Sequence, residues 1–139
     1  MLTYEQKLWQ RRKQALEFAR TEHLVGLPIW RNLCQRFVRI GLGAGPGEPT
    51  ARAAWLHLPE ADRHGVGGKH PPAGVPVYFR LPTPFGHAAL SAGKGLVWST
   101  DILRAGQVDK VSIAYLERRW NATYLGWAES INGRRVWPS

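Results

Sequence analysis

Leu8, Ala15, Leu16 and Ala19 recur at helical spacing behind Thr3 and Gln6, a capping-box pair, so a helix is expected over residues 4–20. Its other side carries Lys7, Arg11, Arg12 and Lys13, the composition of a solvated face. Gly26 and Pro28 break the chain before a second expected helix, from about Trp30 to Ile40, with Leu33, Phe37, Val38 and Ile40 as its apolar side. The stretch GLGAGPGEP ends it. Thr50 can cap a short third helix, ARAAWLHLP, and residues 59–74 read as a long surface loop.

From Val75 the pattern changes to that of strands: VPVYF, GHAALS, LVWST and VDKVSI. Ser112 can cap a helix, IAYLERRW. TYLGWAESI and RRVW flank Asn132-Gly133, a type I′ hairpin signal. The glycines on either side of Lys94 favour a three-residue hairpin loop with a bulge. Ala92 then faces Leu96, and His87 falls opposite Asp101 on the same sheet face. A two-residue loop would set Thr100 there instead. Helices first, then an antiparallel sheet with one late helix, predict a single α+β domain over residues 1–139, its helices packed on one sheet face.

Composition narrows the partners. The chain has 139 residues, 44% of them hydrophobic, enough for one core. Lys and Arg number 19 against 10 Asp and Glu, a net charge of +9, which attracts nucleic acid, a membrane surface or an acidic cell-wall polymer. No helix-turn-helix, zinc or RNA-recognition signature accompanies the charge, so a nucleic-acid partner is disfavoured. One cysteine excludes an intrachain disulfide. The N-terminal stretch has no apolar core of a signal peptide, and no apolar run is long enough for a membrane span. The Gly41–Gly45 run has no preceding strand and is followed by Pro46, and Gly67-Gly68-Lys69 lacks a following Ser or Thr, so neither is a phosphate loop. His57, His64 and His70 come without a cysteine or acidic motif and read as surface histidines, so no metal or cofactor is expected.

The candidate chemistry centres on Cys34. Near a helix start, free N–H groups and the helix dipole favour a thiolate and are expected to lower the thiol pKa. The same N–H groups can hold an oxyanion. His87 is the best-placed base, since it follows Gly86 and opens a strand of small residues that lets a helix end approach. Asp101 is the expected orienting group, with Ser99 and Thr100 as alternates. Trp98 is the aromatic expected near the site, while Trp30, Trp55 and Tyr78 fit either a groove or the core. Taken from these residues alone, a buried Cys34 with a structural His87 fits about as well as a nucleophile with its base.

Three segments in order resemble the CHAP-type amidases and peptidases. CQRFV (Cys34 to Val38) is similar to their nucleophile helix, AGVPVYF (Ala73 to Phe79) to their Gly-led strand, and GHAALS (Gly86 to Ser91) to their Gly-His strand. TARAAWLHLP has the Ala and Trp placement of the helix between. WSTDI (Trp98–Ile102) and the Tyr124–Gly133 ending resemble short lysin-type domains of actinobacteria and their phages. The Asp-Cys-Ser-Gly box of the related NlpC-type peptidases is absent, because Leu33 precedes Cys34 and Gln35-Arg36 follow it. The resemblance spans roughly residues 30–137 and leaves 1–29 as an N-terminal helical extension. It implies a papain-like core, Cys34, His87 and Asp101 as catalytic residues, and hydrolysis of a peptidoglycan amide bond, either in the stem peptide or between N-acetylmuramic acid and alanine. Its partners would be peptidoglycan, anionic wall polymers and phage particle proteins. The protein would be made in the bacterial cytoplasm and act at the wall after release, or be carried on a phage particle. Two rivals are a non-catalytic tail or virion protein on the same fold and a basic nucleic-acid binder.

Overall fold

The structure, a computed structural model, describes residues 1–67 and 70–139. Helix α1 (Tyr4–Val25) opens on the expected capping box: the Gln6 N–H donates to Thr3 Oγ1 and the Thr3 N–H to Gln6 Oε1. It continues past Arg20 until Gly26, at φ +70°, turns the chain in the left-handed region. Leu8, Ala15 and Ala19 are fully buried, so α1 is built into the core. Arg12 is not solvated with its neighbours. It is buried, with its guanidinium 5.1 Å from the Trp9 ring and 4.5 Å from the Trp137 ring.

Helix α2 (Cys34–Gly41) starts later than expected because Asn32 sits at φ +58°, which no helical residue adopts. Helix α3 (Ala51–Leu56) is capped by Thr50, whose hydroxyl accepts the Ala53 N–H. The region expected as one long loop instead holds a 3-10 turn, Glu60–Asp62, and a short strand, β1 (Arg63–His64). Gly68 and Lys69 of the GGK stretch lie outside the described residues.

Strands β2 (Pro76–Arg80), β3 (His87–Gly93), β4 (Leu96–Thr100) and β5 (Val108–Ser112) follow, then α4 (Ile113–Trp120) and β6 (Thr123–Ala128). Together with β1 they form an antiparallel sheet of order β1-β6-β2-β3-β4-β5. Strands β7 (Ser130–Ile131) and β8 (Arg134–Arg135) make a separate ribbon through Asn132 (φ +48°) and Gly133 (φ +80°), the expected type I′ pair. The domain is α+β.

The β3–β4 turn differs from the three-residue loop, yet the register survives. Lys94 and Gly95 form a two-residue turn that closes Gly93 onto Leu96, and Ala92 bulges out. Beyond the bulge, Ser91 faces Val97 and Leu90 faces Trp98, the pairing the longer loop would have produced.

Helices cover both sheet faces, not one. Tyr78, Ala88, Leu90 and Trp98 share a core with Phe37 and Val38 of α2 and with Ala15 and Ala19 of α1. Val77, Phe79, Ala89, Val97 and Val111 share a second core with Leu116 of α4. The inner strands are apolar at successive positions, so each face needs its own cover. Among the described residues no helix is long and apolar enough to cross a membrane.

Gly106 fixes the approach to α2. Its carbonyl accepts the Trp30 N–H at 2.9 Å, its φ is +75°, and a Cβ there would stand 2.6 Å from the Pro28 carbonyl oxygen. Gly133 has a similar φ of +80° but nothing within 4 Å of its Cβ position. Gly106→Ala should therefore lose about 2–3 kcal/mol of stability, clearly more than Gly133→Ala, as measured by denaturant unfolding of the two variants.

Candidate active site

One end of the sheet gathers several chain ends. There β3 starts, β4 finishes, α2 and α3 begin and α4 stops. Between them lies a cleft of about 760 Å³ lined by Cys34, Gln35 and Arg36 of α2, Gly86 and His87 of β3, Asp101 and Trp120, with Leu33, Leu81 and Phe85 among its apolar walls. The sequence-predicted Cys34, on the α2 cover, and His87, at the start of β3, both line this cleft at the edge of the sheet. Gly86, at φ +69°, lets the start of β3 come close to α3: a Cβ there would lie 3.0 Å from the Arg52 backbone N.

Cys34 is the first residue of α2, and Phe37 and Val38 anchor that helix in the core. No side chain caps α2. The sulfur takes that place instead, facing the backbone N–H groups of Ala88, Gln35 and Cys34 itself. Ala88 presents only a methyl group beneath α2, so the helix start settles onto the strand. Burial pushes the thiol pKa up, the three N–H groups oppose it, and the Asp101 carboxylate adds to the rise. The balance is a raised pKa. The lowered value expected from the helix end is corrected, because desolvation of the sulfur outweighs the N–H groups.

His87 is 4% exposed. Its ring lies edge-on to Trp120, centroids 4.8 Å apart, with Phe79 at 6.1 Å. This apolar setting pushes the imidazole down to about 3, so it is neutral at ordinary pH. Ser99 Oγ donates to the Thr100 carbonyl at 3.0 Å, and so accepts from His87 Nε2–H at 2.8 Å. That pairing assigns the ring proton to Nε2 and leaves Nδ1 with the lone pair, the nitrogen able to act as a base.

Asp101 does not orient His87. The residue sits at φ +65°, which ends the strand and swings the carboxylate away. Its Oδ2 accepts from the Asn32 N–H at 2.9 Å and its Oδ1 from the Gly106 N–H at 2.6 Å. The orienting contact belongs to Ser99, which lies one pleat back on the same sheet face and stays on the strand. Thr100 points to the other face, and its hydroxyl has no partner. Trp98 is also displaced from its expected place. It packs in the α1–α2 core, 5.5 Å from His23, and the tryptophan of the cleft is Trp120. The sequence signal for Trp120 was its position as the last residue of α4 before the left-handed Asn121, which marks a helix end but not its location.

The remaining histidines have other roles. His57 pairs with Glu48 at 2.6 Å, and His64 bonds Glu129 while stacking on Trp127 at 3.9 Å. Glu129 and Asp62 both hold Arg135, and Asp62 also accepts from Ser130, which ties the Glu60–Asp62 turn to the β7–β8 ribbon. The chain matches no family model, no curated protein and no solved structure.

Asp101 and Ser99 should separate cleanly by experiment. Asp101→Ala leaves two backbone N–H groups unpaired and should cost about 2 kcal/mol or more in denaturant unfolding. It should keep the exchange-protected His87 Nε2–H proton in the NMR spectrum. Ser99→Ala should lose that proton signal and cost less stability.

Proposed function

We propose that the protein is a cysteine hydrolase that cleaves an amide bond of bacterial peptidoglycan. The observation that carries the reading is the shared cleft of Cys34 and His87, with Ser99 fixing the imidazole so that Nδ1 is the free base. In the reaction, His87 Nδ1 takes the Cys34 proton and the sulfur attacks the scissile carbonyl carbon. The oxyanion that forms is held by N–H groups at the start of α2. The imidazolium then protonates the leaving amine, a thioester remains on Cys34, and His87 activates water to release the acyl group. Since thiol and imidazole are both neutral at rest, proton transfer belongs to the attack and does not precede it as a standing ion pair. Contacts between nucleophile and base are often loose in the empty site and tighten with substrate.

Peptidoglycan is the substrate class that the CHAP-type resemblance suggests, over a papain-like core. An extended peptide would lie in the open cleft between the apolar Leu33, Phe85 and Trp120 and the cationic Arg36, all of which line it. A net charge of +9 draws the protein to anionic wall polymers. It would act at the wall after release from the bacterial cytoplasm or from a phage particle.

Purified cell walls digested with the protein should release soluble fragments, and mass spectrometry of these identifies the bond cut. Cys34→Ala should abolish release with little change in the melting midpoint, while His87→Ala should abolish release and also lower the midpoint, because its buried ring packs on Trp120 and Phe79. Wild-type walls left intact by a folded protein would instead favour the structural virion role. The neutral His87 also predicts the pH profile. Its base form persists until the pH approaches about 3, so kcat/KM should stay flat from pH 5 to pH 8 and not fall through the ordinary histidine range near 6.5.

A further inference from the structure

The helix-side face of the sheet holds an unusual group of polar atoms beneath Cys34. Tyr78 on β2 is directly opposite Ala88, the residue whose N–H faces the sulfur. The β3–β4 register, continued by two residues, sets Thr100 on the other flank of Ala88. Gln35 follows the nucleophile and lines the cleft. Gln35, Tyr78 and Thr100 are 5%, 1% and 0% exposed. Among the described residues, both amide atoms of Gln35, the Tyr78 hydroxyl and Thr100 Oγ1 find no hydrogen-bond partner. A buried unsatisfied polar group is costly, and several side by side call for an explanation, such as a charge or reacting atom that they receive.

We propose that the Tyr78 hydroxyl, steadied by the Gln35 carboxamide, donates a hydrogen bond to the Cys34 sulfur when it becomes a thiolate. In the step that makes it, the S–H bond breaks, the proton passes to His87 Nδ1, and the electron pair stays on sulfur until it forms the bond to the carbonyl carbon. Tyr78 keeps its own proton throughout. In that state Gln35 Nε2–H closes on Tyr78 Oη as a donor, which leaves the phenolic hydrogen free to turn toward the sulfur. Tyr78 thus touches a reacting atom, and Gln35 is a positioning residue that acts through it.

Three features support the assignment. Burial holds the Tyr78 hydroxyl far above its ordinary pKa, so it remains a donor at any pH where the protein is folded, and the Gln35 amide is close enough to bear on it. Cys34 packs against the core cluster that holds Tyr78, and a charge on Cys34 raises the Tyr78 pKa further. A donor is needed there, because burial disfavours the thiolate and the other groups facing it give limited help: His87 from β3 is neutral, and Asp101 from the end of β4 is itself negative. Arg36 on α2 is exposed, and its charge is screened by solvent.

The inference rests on Cys34 as the nucleophile of the hydrolysis proposed above, but its test needs no substrate. The rate of iodoacetamide alkylation of Cys34 is followed against pH in the full chain. Tyr78→Phe keeps the ring that packs on Trp55 and should move the alkylation midpoint up by about one unit, a tenfold loss of thiolate at a given pH. Gln35→Met should move it the same way, and the double variant should shift no further than Tyr78→Phe alone. Thr100→Val should titrate as wild type. An unshifted midpoint in Tyr78→Phe, or a shift produced by Thr100→Val instead, overturns the inference. If Tyr78→Phe fails to fold, Gln35→Met decides by the same criterion. Inactivity on cell walls with a shifted Tyr78→Phe midpoint would sink the substrate reading and leave this one standing. Hydrolysis with an unshifted midpoint would do the reverse.

Discussion

Two hydrogen bonds to one carboxylate set the geometry on which the cleft depends. Asp101 takes the N–H of Asn32 and the N–H of Gly106, and so joins the turn before α2 to the loop between β4 and β5. The Gly106 carbonyl returns a bond to Trp30, which closes the connection on both sides. With Asn32 pinned, α2 can begin only at Cys34, and its first N–H groups come down over Ala88. A charged acceptor on backbone donors is among the stronger ordinary hydrogen bonds, and here it holds segments separated by 69 positions in sequence. Phe37 and Val38 add the apolar anchorage that keeps the helix flat on the strand.

The same closeness sets the electrostatics. A helix end, a strand and two aromatic rings leave the sulfur and the imidazole little water, so both favour their neutral forms. A neutral pair is the cheaper state to bury than two charges. In the reaction proposed for it, such a pair would shift the stabilisation of charge from the resting protein to the moment of attack, where only groups already in place can help. The unpartnered atoms around Cys34 fit that demand, since a site arranged for an ion is under-satisfied while the ion is absent.

Much of the fold was legible because it is written in local chemistry. The Thr3 capping box, the Ser112 cap, the Asn132-Gly133 turn and the LVWST strand lie where the residues put them. Cys34 could be found because it stands at a helix start, and His87 because it opens a strand of small residues. What could not be read depends on tertiary placement. The hairpin register pointed to Asp101 on the assumption that β4 continues, but the left-handed backbone at Asp101 stops it and gives its carboxylate to two amides. Ser99 then inherits the imidazole. Nothing near Arg12 in sequence announces that Trp137 will cover it, and nothing in IAYLERRW says which sheet face α4 will take. Polar residues such as Gln35 and Tyr78 carry no local sign of burial at all.

The closing contacts of the helical side have a consequence for the order of assembly. Arg11 donates to the Arg135 carbonyl across 124 positions, Arg134 donates to the Leu42 carbonyl, and Trp137 covers Arg12. Both α1 and the far end of α2 are therefore fastened by residues that leave the ribosome long after they do. These are contacts of high sequence separation, the kind whose loop closure slows folding. The ribbon is thus part of what holds the helical cover of the cleft, although none of its residues lines the cleft itself.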